Sequence, residues 1–271
     1  MPVLAMDTSA TIGVAVVTDD GERLLAWSSL PERRRHAEHL TALITQTMQD
    51  AGVGMKDLTA VAVGVGPAPY TGLRVGLVTA QTLGLALDIP VWGVPSLDAI
   101  AVEALSLSDV LSLSDAPGSS TGADAGGGAD AGASPCVLVL TDARRKEVYW
   151  ALYTADVSQP GGIRLLAGPD VGKADSLLAT LAQTRLLVAG EGAELYAQAL
   201  TDSAALTDRA PVPVWAGSAE PAASALLIPH AGTIGYLGCQ RAGQGRSQPT
   251  QPLYLRRPDA QVPTRSKALI R

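Results

Sequence analysis

With 271 residues and 47% apolar composition, the chain can build a buried core of one large or two modest domains, which excludes disorder throughout. Charged residues make up 17% and the net charge is -6, so the molecule as a whole is no general polyanion binder. Cys136 and Cys239 are too few and too far apart for a disulfide framework or a cysteine metal site, and no basic leader before an apolar segment or eighteen-residue apolar run is present, so a reducing cytoplasm is expected, without secretion or membrane spanning.

Val3-Leu-Ala-Met6 reads as a buried strand running into Asp7-Thr8-Ser9, Ile12 to Val17 as a second strand before the turn Asp19-Asp20-Gly21, and Leu24 to Trp27 as a third strand of a meander. The basic connector Pro31 to His36 leads to a helix over about Ala37–Ala51, with Leu40, Leu43, Ile44 and Thr47/Met48 on one face, stopped by Gly52. His36 and His39 lie three apart, but without further His or Cys ligands nearby they read as capping or surface residues rather than a metal site.

Ala60 to Val63 is short, apolar and partly β-branched, as a buried strand should be; the Gly/Pro turn from Gly64 then opens a proline-free helix from Thr71 to Leu87. Thr71 is placed to cap that helix, where an anion could also bind, and Arg74 lies one turn in. Gly72, Gly76, Ala80 and Gly84 form a ridge of small residues. Each glycine costs about 1 kcal/mol of helix propensity relative to alanine, so something is expected to approach this backbone closely, and apolar residues nearly all round suggest that one covering surface belongs to a partner. Val91 to Val94 follows as a strand, then a helix from Ser96, an N-cap candidate, to about Leu105. Strands of a meander followed by alternating helix and strand predict a mixed sheet with helices on its faces.

Residues 106–134 are rich in Ser, Asp, Gly and Ala and read as a flexible insertion, with poor order expected over 117–134. They divide the chain into units 1–105 and 135–271. Cys136 to Leu140, the turn from Thr141 to Glu147, and Val148 to Tyr153 repeat the layout of residues 3–17. Arg144, Arg145 and Lys146 make that turn a positive patch, a pattern more often solvated than ligand-binding. After a Gly/Pro connector come a helix over Lys173–Thr184, a strand over Leu186–Ala189 and the turn Gly190 to Glu194 into a helix Leu195–Leu200. Gly190 and Gly192 at that junction could approach a nucleotide, although a lone Gly-x-Gly is a weak signal. A last helix is expected over Ala231–Arg241, with Pro229 near its first turn, and Pro252-Leu-Tyr-Leu-Arg256 reads as extended. Residues 241–271 hold seven Lys/Arg and one acid, leaving the remainder at about -12, so this tail could contact RNA or an acidic partner.

Leu4-Ala-Met-Asp-Thr-Ser9, His36 before an apolar helix, the run Val63 to Gly76, Gly93-Val-Pro-Ser-Leu97, Asp142 to Tyr149 and Pro252 to Arg256, in this order and spacing, closely resemble the TsaB family, also called YeaZ. The resemblance is dense from residue 3 to about 104 and patchy afterwards. It implies an actin/hexokinase/Hsp70-type α/β fold with two related βββαβα subdomains, mixed sheets and a reduced second copy. It also implies a non-catalytic, cytoplasmic scaffold for threonylcarbamoyl transfer to N6 of adenosine 37 in tRNAs reading codons that start with A. The expected partners are a TsaD-like transferase in a heterodimer and a TsaE-like ATPase, with tRNA reached indirectly or through the basic tail; a homodimer is also expected.

Carried over from the family, the interface falls on the first two helices, at His36, Leu40, Leu43 and Thr47 and at Tyr70, Gly72, Leu73, Gly76, Leu77, Ala80 and Gly84. No catalytic residue, metal or cofactor is implied for the chain itself beyond weak ATP or ADP binding in the shared complex. The alternative is an ATP-dependent kinase or hydrolase of the same superfamily, with Asp7, Thr8, Ser9, Gly190 and Gly192 lining the nucleotide cleft. The chain departs from the family where the usual Gly-Pro-Gly-Ser-Phe-Thr-Gly turn becomes Gly66-Pro-Ala68-Pro69-Tyr70-Thr-Gly72, which removes an amide donor and a flexible glycine from any anion cradle.

Overall fold

The computed structural model describes residues 1–31, 36–114, 136–174, 176–177, 187–196 and 228–256. Two mixed sheets organise it. The first contains β1 (Pro2–Asp7), β2 (Ile12–Thr18), β3 (Leu24–Leu30), β4 (Ala60–Gly64) and β5 (Val91–Val94) in the order β3-β2-β1-β4-β5. The second contains β6 (Cys136–Asp142), β7 (Glu147–Ala155), β8 (Ile163–Lys173) and β9 (Leu187–Ala189) in the order β8-β7-β6-β9. In each, the leading strand pairs antiparallel with the next and parallel with a later one: β1 with β2 and β4, β6 with β7 and β9. This repeated plan, with the second copy reduced, is the actin/hexokinase/Hsp70-type arrangement.

The period of two along β1 divides the core. Val3 and Ala5 face one side, Leu4 and Met6 the other, and all four are fully buried. The Leu4/Met6 side carries α1 (His36–Asp50), through Leu40, Ile44 and Met48, and α2 (Tyr70–Leu87), through Leu73, Leu77 and Ala80. On the Val3/Ala5 side a single apolar core runs through α3 (Ser96–Ser114) to Val137, Val139 and Tyr153 of the second sheet, on which α3 packs. The short α4 (Glu191–Leu195) follows β9 and contributes Ala193 to the core on the far face of the second sheet.

The last helix, α5 (Ala231–Gly243), alters the expected domain division. It packs on β1, β2 and β4 of the first sheet, and two glycines let it come close: a Cβ on Gly235 would lie 2.8 Å from Val17 Cγ2, and one on Gly238 3.0 Å from Ala62 Cβ. Unit 135–271 is therefore not self-contained, because its C-terminal helix completes the first sheet. A second boundary also moves, since α3 continues to Ser114 through residues read as the start of the insertion. The rest of the insertion, most of the helix read over 173–184, and the basic tail beyond Arg256 lie outside the described residues.

Strand β8 occupies a stretch read as a Gly/Pro connector. It is an edge strand whose pairing with β7 shifts register around Leu152, and edges with bulges accept the glycines and Pro169 that a central strand would not.

Two buried carboxylates of α3 clamp it to its neighbours. Asp98 accepts from the Tyr153 hydroxyl at 2.6 Å and pairs with Arg241 of α5. Glu103 accepts from the Thr233 hydroxyl at 2.6 Å, and burial pushes its carboxyl up to about 8. The unfolded carboxyl ionises near 4.5, so the unfolded state holds fewer protons between these values and stability falls as pH rises through that window. Glu103→Gln is expected to raise the thermal midpoint by several degrees at pH 8.5 and to leave it nearly unchanged at pH 4, as measured by calorimetry.

Candidate functional site

The turn between β1 and β2 packs its polar groups inward. Asp7 is 2% exposed, and its Oδ1 accepts from the Ser9 amide at 2.8 Å and the Ser9 hydroxyl at 2.6 Å, while Oδ2 accepts from the Ser96 hydroxyl at 2.6 Å. Burial holds its carboxyl above the usual range, against the lowering effect of these hydrogen bonds. Ser96 Oγ in turn accepts from the Gly66 amide at 3.2 Å, and the Ser96 amide donates to Gly66 O at 2.7 Å. Ser96 is thus the first residue of α3 and ties the three segments together rather than capping the helix with its side chain. Thr8 donates its hydroxyl to Gly72 O at 2.9 Å and accepts from the Gly76 amide at 3.2 Å, fixing the first turns of α2 to β1.

Between these segments and the second sheet lies a cleft lined by Ser9, Pro67 to Pro69, Ser96, Thr141, Asp142, Tyr149 and Glu191, with about 250 Å³ of space that includes open solvent. Only about 10 Å³ of it is room that the centre of a water-sized body can occupy, against roughly 300–1,000 Å³ for usual ligand pockets, which is far less than a nucleotide needs. The glycines expected to admit one are committed elsewhere. A Cβ on Gly190 would stand 2.1 Å from Leu140 O, and one on Gly192 2.7 Å from Leu140 Cβ, so both let α4 sit on β6 rather than opening toward a ligand. Asp142 faces its own loop, pairing with Arg144 at 3.2 Å and accepting from the Arg144 amide at 2.7 Å, while the Glu191 carboxylate accepts from the Asp142 amide at 3.2 Å. Ser9 and Glu191 line this cleft, whereas Asp7, Thr8, Gly190 and Gly192 are not among its lining residues. This set does not fit a bound ATP. Among the described residues no cluster of three or more His, Cys, Asp or Glu could hold a metal ion.

Helix α2 resolves into two faces. Leu73, Gly76, Leu77, Ala80 and Gly84 are buried against the chain's own sheet. A Cβ on Gly76 would meet Thr8 Oγ1 at 2.5 Å, and one on Gly84 would meet Val91 Cγ2 at 2.3 Å. The small-residue ridge is therefore a seat for β1 and β5, which corrects its reading as the partner's contact face. Gly72 is partly exposed and gives its carbonyl to Thr8. Thr71 is exposed in the first turn behind Pro69 at the N-cap, where no side chain caps the helix.

The outward stripe is Arg74, Val78, Gln81, Thr82 and Leu85, one helical row at spacings of three and four. Val78 is 60% and Leu85 87% exposed. On α1, Leu40 and Thr47 are buried, Thr47 donating to Leu43 O at 2.7 Å, while Leu43 is half-buried; the side chain of His36 lies outside the described residues. Sequence reading found the helix but not its outward residues, because apolar side chains on nearly every face hide the one stripe that lacks cover. Their seven-residue spacing was the available signal.

The segment after α5 returns across α2. The Gly93 amide donates to Gln248 O and the Leu253 amide to Val65 O, and Gly93 lets Pro249 pass, since a Cβ there would lie 2.1 Å from Pro249 O. Tyr254 stacks on Tyr70 at 4.1 Å between ring centroids, and Arg74 lies 3.9 Å above the Tyr70 ring while donating to the Tyr254 hydroxyl at 2.8 Å. Tyr70, 39% exposed, is thus partly covered by the chain itself. Two residues on, Arg256 donates to Ala143 O at 2.7 Å and pairs with Glu147 at 3.3 Å, reaching the β6–β7 hairpin of the second sheet.

The family model described as TsaD, tRNA N6-adenosine threonylcarbamoyltransferase, matches residues 30–200. An uncharacterized protein of Mycobacterium leprae is 39% identical over 63% of this chain and 38% of its own length. The tRNA threonylcarbamoyladenosine biosynthesis protein TsaB of Escherichia coli is 30% identical over 58% of this chain and 56% of its own. The chain thus spans between about a third and somewhat over half of these two relatives. A crystal structure from Pseudomonas aeruginosa, of an uncharacterized protein with similarity to peptidase YeaZ, shares the fold with a TM-score of 0.67 at 24% identity, covering 94% of this chain and 99% of that one.

Proposed function

The chain belongs to the TsaB/YeaZ family, and on that premise we propose that it is a non-catalytic partner subunit in the biosynthesis of threonylcarbamoyladenosine on tRNA. It pairs with a TsaD-like transferase, which carries the threonylcarbamoyl group to N6 of adenosine 37, and a TsaE-like ATPase joins the assembly. ATP or ADP is handled by that assembly rather than by this chain alone.

The observation that carries the reading is the state of Asp7. In an ATPase of this fold the carboxylate at the end of the first strand would have to face the nucleotide and its metal; here both oxygens accept from Ser9 and Ser96 in a buried turn. Support for the partner comes from the outward stripe of α2, where Val78 and Leu85 stand in water beside Thr82. Large exposed apolar side chains aligned on one helix are what an interface core needs.

Reconstitution with a TsaD-like subunit, a TsaE-like ATPase, unmodified tRNA, ATP and threonylcarbamoyl-adenylate tests the proposal by nucleoside analysis of the tRNA. Omitting this chain is expected to abolish modification. Asp7→Asn keeps the shape of the buried turn and lets the serine hydroxyls rotate to suit an amide, so activity is expected to stay within about threefold, whereas loss of a catalytic carboxylate costs orders of magnitude. Rapid ATP turnover by this chain alone, stopped by Asp7→Asn, would overturn the reading in favour of a kinase or hydrolase.

A further inference from the structure

A basic hairpin and an arginine from the far end of the described chain meet in the fold. The hairpin between β6 and β7 exposes Arg144, Arg145 and Lys146, and Arg256, far away in the chain, is bound to the same hairpin through Ala143 O and Glu147. Arg74 is joined to this group through Tyr254, two residues before Arg256. Against these five cations stand Asp142 and Glu147, on a protein whose net charge is -6.

The backbone of the hairpin makes the choice of residues informative. Arg144, Arg145 and Lys146 all take left-handed conformations, with φ of 66°, 55° and 62°. Glycine or asparagine would occupy such positions with less strain, so the turn by itself does not explain three long cations in succession. An anion does. Arginine supplies a planar fork of donors matched to phosphate oxygens, and four of the five cations here are arginines.

We propose that the β6–β7 hairpin, with Arg256 and Arg74, is a contact surface for the sugar–phosphate backbone of tRNA. The proposal rests on the reading of the chain as a subunit acting on tRNA, and it names the part of the chain that touches the nucleic acid. A backbone contact of this type is insensitive to base sequence and sensitive to salt.

The test is fluorescence-anisotropy titration of an unmodified tRNA transcript by the full-length chain, alone and with its TsaD-like partner, over a series of salt concentrations. Arg145→Glu with Lys146→Glu is expected to weaken binding at least tenfold, and to flatten the dependence of log affinity on log salt by about 1.5, since each phosphate contact contributes roughly 0.7–0.9. Arg145→Asn with Lys146→Gly suits the left-handed backbone, so it is expected to raise the thermal midpoint while still weakening tRNA binding. Arg164→Glu, on the distant edge strand β8, is the control and should leave affinity unchanged. Unchanged tRNA affinity and salt slope in both hairpin variants would overturn the proposal, and so would unchanged tRNA binding with loss of the TsaD-like partner, which would make the surface a protein interface. If the wild-type chain supports modification while the hairpin variants bind tRNA normally, only this inference fails; if it supports none, the functional reading fails.

Discussion

Val78→Glu combined with Leu85→Glu is expected to leave the free chain folded and to weaken its association with a TsaD-like subunit by more than about 100-fold. The asymmetry follows from exposure. Both side chains stand largely in water in the free chain, at 60% and 87%, and surface changes of this kind usually alter stability by no more than about 0.5 kcal/mol. In an apolar interface, by contrast, each introduced carboxylate would be desolvated without a partner, at a cost of about 2 kcal/mol or more. Sedimentation velocity on the mixed subunits reads the result, and calorimetry on the free variant confirms that the fold survives. Retained association at wild-type affinity would remove this stripe from the interface. Substitutions at Gly76 or Leu77 could not make the same distinction: a side chain at Gly76 collides with Thr8 and Leu77 is 4% exposed, so changes there report on folding first.

The largest effect on stability is expected from the smallest side chain added. Gly64→Ala places a Cβ 1.8 Å from Asp7 Oδ2 and 2.9 Å from Ser96 Oγ, distances no packed structure tolerates. Asp7 cannot yield by turning into solvent, because it is buried and held by three hydrogen bonds. Relief requires β1 and β4 to separate, or the turn of Asp7, Ser9, Gly66 and Ser96 to break. The loss is expected to reach at least about 3 kcal/mol, lowering the thermal midpoint by roughly 5–10 °C. Gly52→Ala is a fitting comparison, since nothing lies within 4 Å of a Cβ there and the cost is that of its positive φ alone. A midpoint for Gly64→Ala equal to that of the wild type would refute the account of the turn.

Local pattern made most of the first sheet legible. Strands β1, β2, β4 and β5 and helices α1 and α2 lie within a residue or two of their expected bounds, because each couples a clear hydrophobic period to a strong stop signal such as Gly52 or Pro90. Asp7 ends β1 at the turn that the sequence predicts. Its carboxylate is held by Ser96, eighty-nine residues away, and no local pattern reports such a pairing. The ridge of Gly72, Gly76, Ala80 and Gly84 shows the limit most plainly. Small residues at helical spacing do signal close approach, but spacing alone does not say whether the approaching surface is a partner or the chain's own β1 and β5. Gly190 and Gly192 show the same limit, since the side chains they lack leave room for Leu140 and the Gly-x-Gly spacing does not report it.

The return of α5 to the first sheet sets an order for biosynthesis. Val3, Ala5, Val17 and Ala62 face a layer that α5 helps to close, through Ala231, Ile234 and Leu237, and those residues are translated long after β5 ends at Val94. At about 5–20 residues per second on the ribosome, the intervening chain takes roughly seven to thirty seconds to emerge. Throughout that interval the nascent chain carries a half-covered apolar sheet, open to chaperones and to unwanted pairing, and the first sheet is sealed only once α5 has left the exit tunnel.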